Sequence, residues 1–246
     1  MPVAASTTPA SNSGVQFFPH IASDSQWHTD IFVMNPNSAP ATFSLLFHTD
    51  TGAALPLVGS PPTNNVTLPA YGSAFFRTSP ASTANEGWAE LDSTSPIAGV
   101  AVFGRQGSDG SYYEASAPLG LPYSSFTVPF DETQSPLGVP FLNGFAVVNT
   151  DSIIPAQMTC TAYGGGGSIL GSGLQVGPLN PLQHTEFLID QQFGPSLAGQ
   201  RGTLVCQTNT KVAAVELRAF SSSPAVSSMP VISNAATTPT ASTSRR

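Results

Sequence analysis

Histidines and acids are few in this 246-residue chain, so their spacing is easily surveyed. His28 and Asp30 lie two residues apart, as do His48 and Asp50. Residues two apart on a strand share a face, so each pair would set an imidazole beside a carboxylate. Such groups can ligate a metal, but no His-Glu-x-x-His run or paired-ligand spacing accompanies them. The expectation is surface polar residues beside strands and turns, with no metal and no cofactor. His20 and His184 complete the histidine set.

Glu86, Glu90 and Asp92 cluster around Trp88. Strand alternation puts Trp88, Glu90 and Asp92 on one face. An open indole beside carboxylates can stack on a pyranose ring while the acids accept hydroxyl hydrogen bonds. Trp27, Tyr112 and Tyr113 would extend this carbohydrate platform, with Glu114 beside them. The competing reading is a Trp88 half-buried at a strand start. No Gly-x-Ser-x-Gly elbow occurs and no serine has a histidine partner by spacing, so no catalytic residue is assigned and the chain is read as non-enzymatic. Asn65-Val66-Thr67 is the single glycosylation sequon, so Asn65 is the candidate acceptor in a glycosylating compartment.

Cys160 and Cys206 are 46 residues apart, and so are Leu45 and Leu91, each 115 positions upstream of its cysteine. Residues 87–105 lie without gaps on 202–220. Residues 30–35 (DIFVMN) match 144–149 (GFAVVN), 74–76 match 186–188, and 116–119 match 228–231. Four blocks recurring in one order indicate a duplicated unit. Neither the His28–Asp30 nor the His48–Asp50 pair has a counterpart in the second copy. If Leu45 touches Leu91 in one core, Cys160 and Cys206 face each other in the other, where a disulfide worth roughly 2–4 kcal/mol through loop closure is expected and two buried free thiols are the alternative. A disulfide points to an oxidising compartment.

The elements carrying these residues are short, β-branched or aromatic, and separated by turn residues. Strands are predicted at 31–34, 42–47, 65–68, 73–77, 87–91, 97–103 and 112–115. In the second copy they fall at 145–148, 157–163, 173–176, 185–189, 202–207, 212–220 and 225–229. No segment has a helical period with caps. About seven strands per ~105 residues signal two tandem antiparallel, immunoglobulin-like β-sandwiches. The Gly164–Gly167 run reads as a hairpin tip, and Asp109-Gly110 as a turn. The division is a flexible arm at 1–14, one sandwich at 15–122, a second at 123–232, and a Ser/Thr/Pro-rich tail at 233–246 too polar to order itself.

Charged residues are 9% of the chain, against about 25% in an ordinary domain. The net charge is −7 and Lys211 is the single lysine, which argues against nucleic acid and against a polybasic membrane site. No apolar run approaches the ~18 residues of a membrane helix, so membrane insertion is not expected. The start lacks a signal-peptide pattern, so an export signal is not visible.

Residues 17–22 (FFPHIA), 27–36 (WHTDIFVMNP), 87–103 and 114–119 (EASAPL) resemble a repeat in exported proteins of environmental bacteria. The resemblance covers most of 17–122. The second unit lacks the Trp-x-Thr and Glu-Ala-x-x-Pro motifs. It implies an exported immunoglobulin-like sandwich and transfers no catalytic residue. The functional expectation is an extracellular or cell-surface structural or adhesive protein. Its sandwich edges, guarded by prolines rather than lysines, would permit self-association by stacking or strand addition into a fibre or layer. A carbohydrate-binding module is the alternative, and a secreted glycan-active enzyme the third reading.

Overall fold

The computed structural model describes residues 12–55, 63–78, 85–107, 110–220 and 223–234. Most of the expected arm and tail, and Asp109 of the expected turn, lie outside them. Strands make up 68% of the structure against 4% helix, arranged as two antiparallel sheets that each curl into a sandwich. The first sheet holds β1 (Asn12–Ser23), β2 (Trp27–Met34), β3 (Ala41–Thr49), β4 (Val66–Leu68), β5 (Ser73–Arg77), β6 (Asn85–Gln106) and β7 (Tyr112–Pro118). The second holds β8 (Tyr123–Asp131), β9 (Phe141–Asn149), β10 (Ala156–Gly164), β11 (Ile169–Leu179), β12 (His184–Leu188), β13 (Arg201–Phe220), β14 (Ser223–Met229) and β15 (Ile232–Ser233). A short helix α1 (Ile189–Phe193) and a 3-10 turn (Pro195–Leu197) follow β12.

Each sandwich is organised by one long strand that passes from one layer to the other. The first half of β6 pairs with β3 and β1, and its second half with β2 and β7. β13 repeats this with β10 and β8, then with β9 and β14. The two predicted strands 87–91 and 97–103 are therefore one. Pro96 does not break it, because β3 pairing ends at Ser93 and β2 pairing begins at Ala98, so this donor-less residue falls at the crossover between layers.

The duplication is carried by the pairing register. Leu45 faces Leu91, and Cys160 faces Cys206 in a disulfide with Cα atoms 4.1 Å apart. Asn35 Nδ2 donates to the carbonyls of Ala39, Leu68 and Pro69; Asn149 Nδ2 donates to those of Ile154, Leu179 and Asn180. A Cβ on Gly87 would meet the His48 carbonyl oxygen at 1.9 Å, and one on Gly202 the Tyr163 oxygen at 1.8 Å. Glycine is thus required at both equivalent places by the approach of the neighbouring strand. One block needs correction: Phe76 faces Ile31 and Phe187 faces Phe145, so β5 matches β12 one residue away from the expected alignment. A one-residue slip exchanges the faces of a strand.

The sequence predicts neither β1, β8 and β15 nor the helix α1 and the 3-10 turn. β1 begins inside the expected arm, and β15 ends inside the expected tail, where Ser233 pairs with Phe126. The Gly164–Gly167 run is the expected hairpin tip, with the Gly164 N–H donating to Ser168 O and that of Gly167 to Gly164 O. The first core gathers Phe43, Leu45, Phe76, Leu91, Ile97 and Phe103; the second gathers Phe126, Val128, Met158, Leu204 and Val212 around the disulfide.

The two sandwiches pack on each other. Phe17 and Trp88 of the first meet Val148 and Ala213 of the second, with Leu182 alongside. Ala146 and Val215 of the second join the apolar cluster of the first. Ser116 and Ser228, equivalent residues of β7 and β14, hydrogen-bond each other across the edges.

Candidate functional site

The richest polar cluster sits where the sandwiches meet, and it begins with an irregularity in β1. Phe18 pairs with Ala89 and Ile21 with Gly87, so β1 has one residue more than β6 over this stretch. The bulge falls at Pro19 and His20, where proline's missing donor costs no ladder bond. It lets His20 reach the second sandwich, where its ring lies 5.4 Å from that of His184 at an interplanar angle of 22°. His184 and Glu186 are two apart on β12 and so share a face. Asp50 comes from the turn after β3.

The contacts form a chain across the boundary. His184 Nδ1 lies 2.9 Å from Asp50 Oδ1, and the His184 backbone N–H donates to the Asp50 carbonyl at 2.9 Å. His184 Nε2 lies 3.4 Å from His20 Nδ1, which is in turn 3.3 Å from Glu186 Oε2. Glu86 of the first sandwich hydrogen-bonds Glu186. The hydrogen bond from His184 holds Asp50 below the usual carboxylate range. Burial, then the neighbouring His184, pulls His20 down to about 3, so its imidazole is neutral. Burial, then the nearby Glu86 carboxylate, pushes Glu186 up to about 8.

A cavity of about 370 Å³ opens beside the cluster, lined by His20 and Glu186 and by Phe145, Phe187, Leu188, Gln191 and Leu217 among others. Among the described residues, no serine, threonine, cysteine or lysine lines it. Two imidazoles and a carboxyl group beside a cavity are groups that can hold an ion or a polar ligand.

The expected site residues are dispersed. His28 Nε2 is 2.9 Å from the Tyr112 hydroxyl and 4.0 Å from Asp30, whose carboxylate is gripped by Arg77 through two contacts of 2.5 Å. His48 stacks on Trp88 at 4.1 Å and lies 3.5 Å from Glu90, while its expected partner Asp50 serves His184 instead. Trp88 requires correction: it is 0% exposed, and its Nε1 donates to the Leu182 carbonyl of the second sandwich at 3.2 Å. Its strand face does turn outward, since Asp92 is exposed and Glu90 half-buried, but the second sandwich covers the Trp88 end. No sugar can stack there. Trp27 is half-buried with the Arg105 guanidinium 5.2 Å above its ring; Tyr112 is exposed and Tyr113 half-buried. Asn65 is exposed.

The sequence did hold a signal for the missed residues. His184 and Glu186 have the same two-residue spacing as the pairs singled out in the first unit. Their partners stand 164 and 134 positions away, and only docking of the sandwiches brings them together.

A second buried polar group lies on the inner side of β13. Both carboxyl oxygens of Glu216 are closed to solvent and have no hydrogen-bond partner. Burial, then the charge of Glu132, pushes its pKa well above the ordinary range. Asn143 Nδ2 donates to Glu132 Oε1 at 2.9 Å and to the Asp131 carbonyl at 2.8 Å.

Among the described residues, no helix is long and apolar enough to cross a membrane. Comparison with protein-family models, with characterised proteins and with solved structures finds no match.

Proposed function

We propose that this chain is a non-enzymatic extracellular structural or adhesive protein that associates with further copies of itself through the first sandwich. The supporting observation is a face that is buried in one unit and partly exposed in the other. In the second sandwich the outer face of β9 and β13 carries Ala146, Val148, Ala213 and Val215, and the first sandwich covers it. By register, the matching residues of β2 and β6 are Phe32, Met34, Ala98 and Val100. There Phe32 is 39% exposed and Met34 38%, and Phe75 on neighbouring β5 is 45% exposed. Phe32 and Phe75 pair at 5.0 Å, extending the apolar surface across two strands.

The occupant argued for is a second copy of this chain, because the internal interface supplies a worked example of the same sheet face taking a sandwich. Phe32, Met34, Phe75, Ala98 and Val100 carry no charge, so covering them with a copy buries no ion. The disulfide accords with an extracellular setting. Electron microscopy of purified protein over a range of concentration and salt tests the reading: ordered assemblies that grow with concentration support it, and monodisperse single particles throughout sink it.

A further inference from the structure

We propose that His20, His184 and Glu186 form a zinc-type metal site that clamps the two sandwiches together, with Asp50 orienting His184. The geometry carries this. Two ligand atoms, each about 2.0–2.1 Å from one zinc ion at a tetrahedral angle, sit roughly 3.4 Å apart. His20 Nδ1 and His184 Nε2 are 3.4 Å apart, and His20 Nδ1 and Glu186 Oε2 are 3.3 Å apart. The three ligand atoms lie within 4.8 Å of one another. A shared ion needs His184 Nε2 and Glu186 Oε2 at the same tetrahedral spacing, which rotation of the Glu186 side chain can supply.

The surroundings fit the same ligand. His184 keeps Nε2 directed at the cluster because its Nδ1 is committed to Asp50, the carboxylate–histidine arrangement that supports metal-bound imidazoles. The two nitrogens and one oxygen are a donor set for a borderline divalent metal rather than calcium or magnesium, which favour all-oxygen shells. Three carboxylates, those of Asp50, Glu86 and Glu186, gather around two imidazoles. His20 and Glu186 both line the cavity, so a fourth corner opens toward it for water. One ligand comes from β1 and two from β12, so bound metal would crosslink the units.

The test uses the full chain, stripped with chelator, and titrated calorimetrically with ZnCl2 at constant pH. One saturable equivalent is expected, with a rise in the thermal midpoint. CoCl2 should give the intense visible absorption of a four-coordinate ion. Glu186→Gln keeps the side-chain volume and should weaken zinc binding by at least about tenfold; His20→Ala should weaken it further. Asp50→Asn should lower affinity by about tenfold through His184. Absence of a saturable equivalent, a weak six-coordinate cobalt spectrum, or Glu186→Gln and His20→Ala variants that bind as the parent does would each overturn the assignment.

Discussion

His184 of the second sandwich and Asp50 of the first are joined twice, by a side-chain contact of 2.9 Å and by a backbone hydrogen bond of 2.9 Å. Because His184 is closed to solvent, losing its partner would strand a buried imidazole N–H. Asp50→Ala is therefore expected to cost about 1–3 kcal/mol and to loosen the boundary. Denaturant unfolding gives the first quantity. Faster amide exchange at residues 182–186 and at the turn near 50 checks the second, and unchanged exchange there would contradict the role given to Asp50.

Trp88 is wedged between His48 and the second sandwich. Trp88→Ala should cost about 3–5 kcal/mol by opening a cavity at the boundary. Chemical denaturation followed by circular dichroism measures the loss. A variant as stable as the parent would mean that the indole is not packed as described.

The close approaches at Gly87 and Gly202 make a paired prediction. Gly87→Ala and Gly202→Ala should each destabilise by more than about 2 kcal/mol, because the new methyl meets a strand carbonyl that cannot move alone. Gly166, with nothing within 4 Å of an added Cβ, is the control and should tolerate alanine far better.

Above about pH 6.5, where the opposing effect of the neutral His20 is complete, stability should fall as pH rises, in part owing to Glu216 and Glu132. Both have folded pKa values raised by burial, that of Glu132 to about 7. An acid whose folded value lies above its unfolded value of about 4.3 favours folding fully below that lower value. The contribution of Glu132 is lost as pH rises through its folded value of about 7, and that of Glu216 is lost above the ordinary carboxyl range. Glu216→Gln should leave stability near pH 5 almost unchanged and raise the thermal midpoint at pH 8. Equal midpoint shifts at both pH values would show that Glu216 is not held protonated.

Much of the scaffold was legible because strand pairing repeats local patterns. Leu45 opposite Leu91 foretold Cys160 opposite Cys206, since a core contact and a disulfide need the same proximity. β1 was hidden because Phe17, Phe18 and Ile21 flank Pro19, and a proline inside an apolar run argues against a strand unless it sits at a bulge. The helix α1 is too short to show a period. The site was illegible for another reason: Asp50, His20 and His184 belong to separate units, and periodicity within a unit says nothing about how units dock. The same docking explains Trp88, whose outward face was read correctly while its cover was not foreseen.

Self-association depends most directly on the apolar face of β2 and β5, where Phe32 and Phe75 are partly exposed. Sedimentation velocity of the full chain across concentration, beside a Phe32→Glu/Phe75→Glu double variant, tests it directly. The parent should shift to larger species as concentration rises, while the double variant stays monomeric with an unchanged thermal midpoint. A parent that remains monomeric throughout, or a double variant that associates equally well, would contradict it.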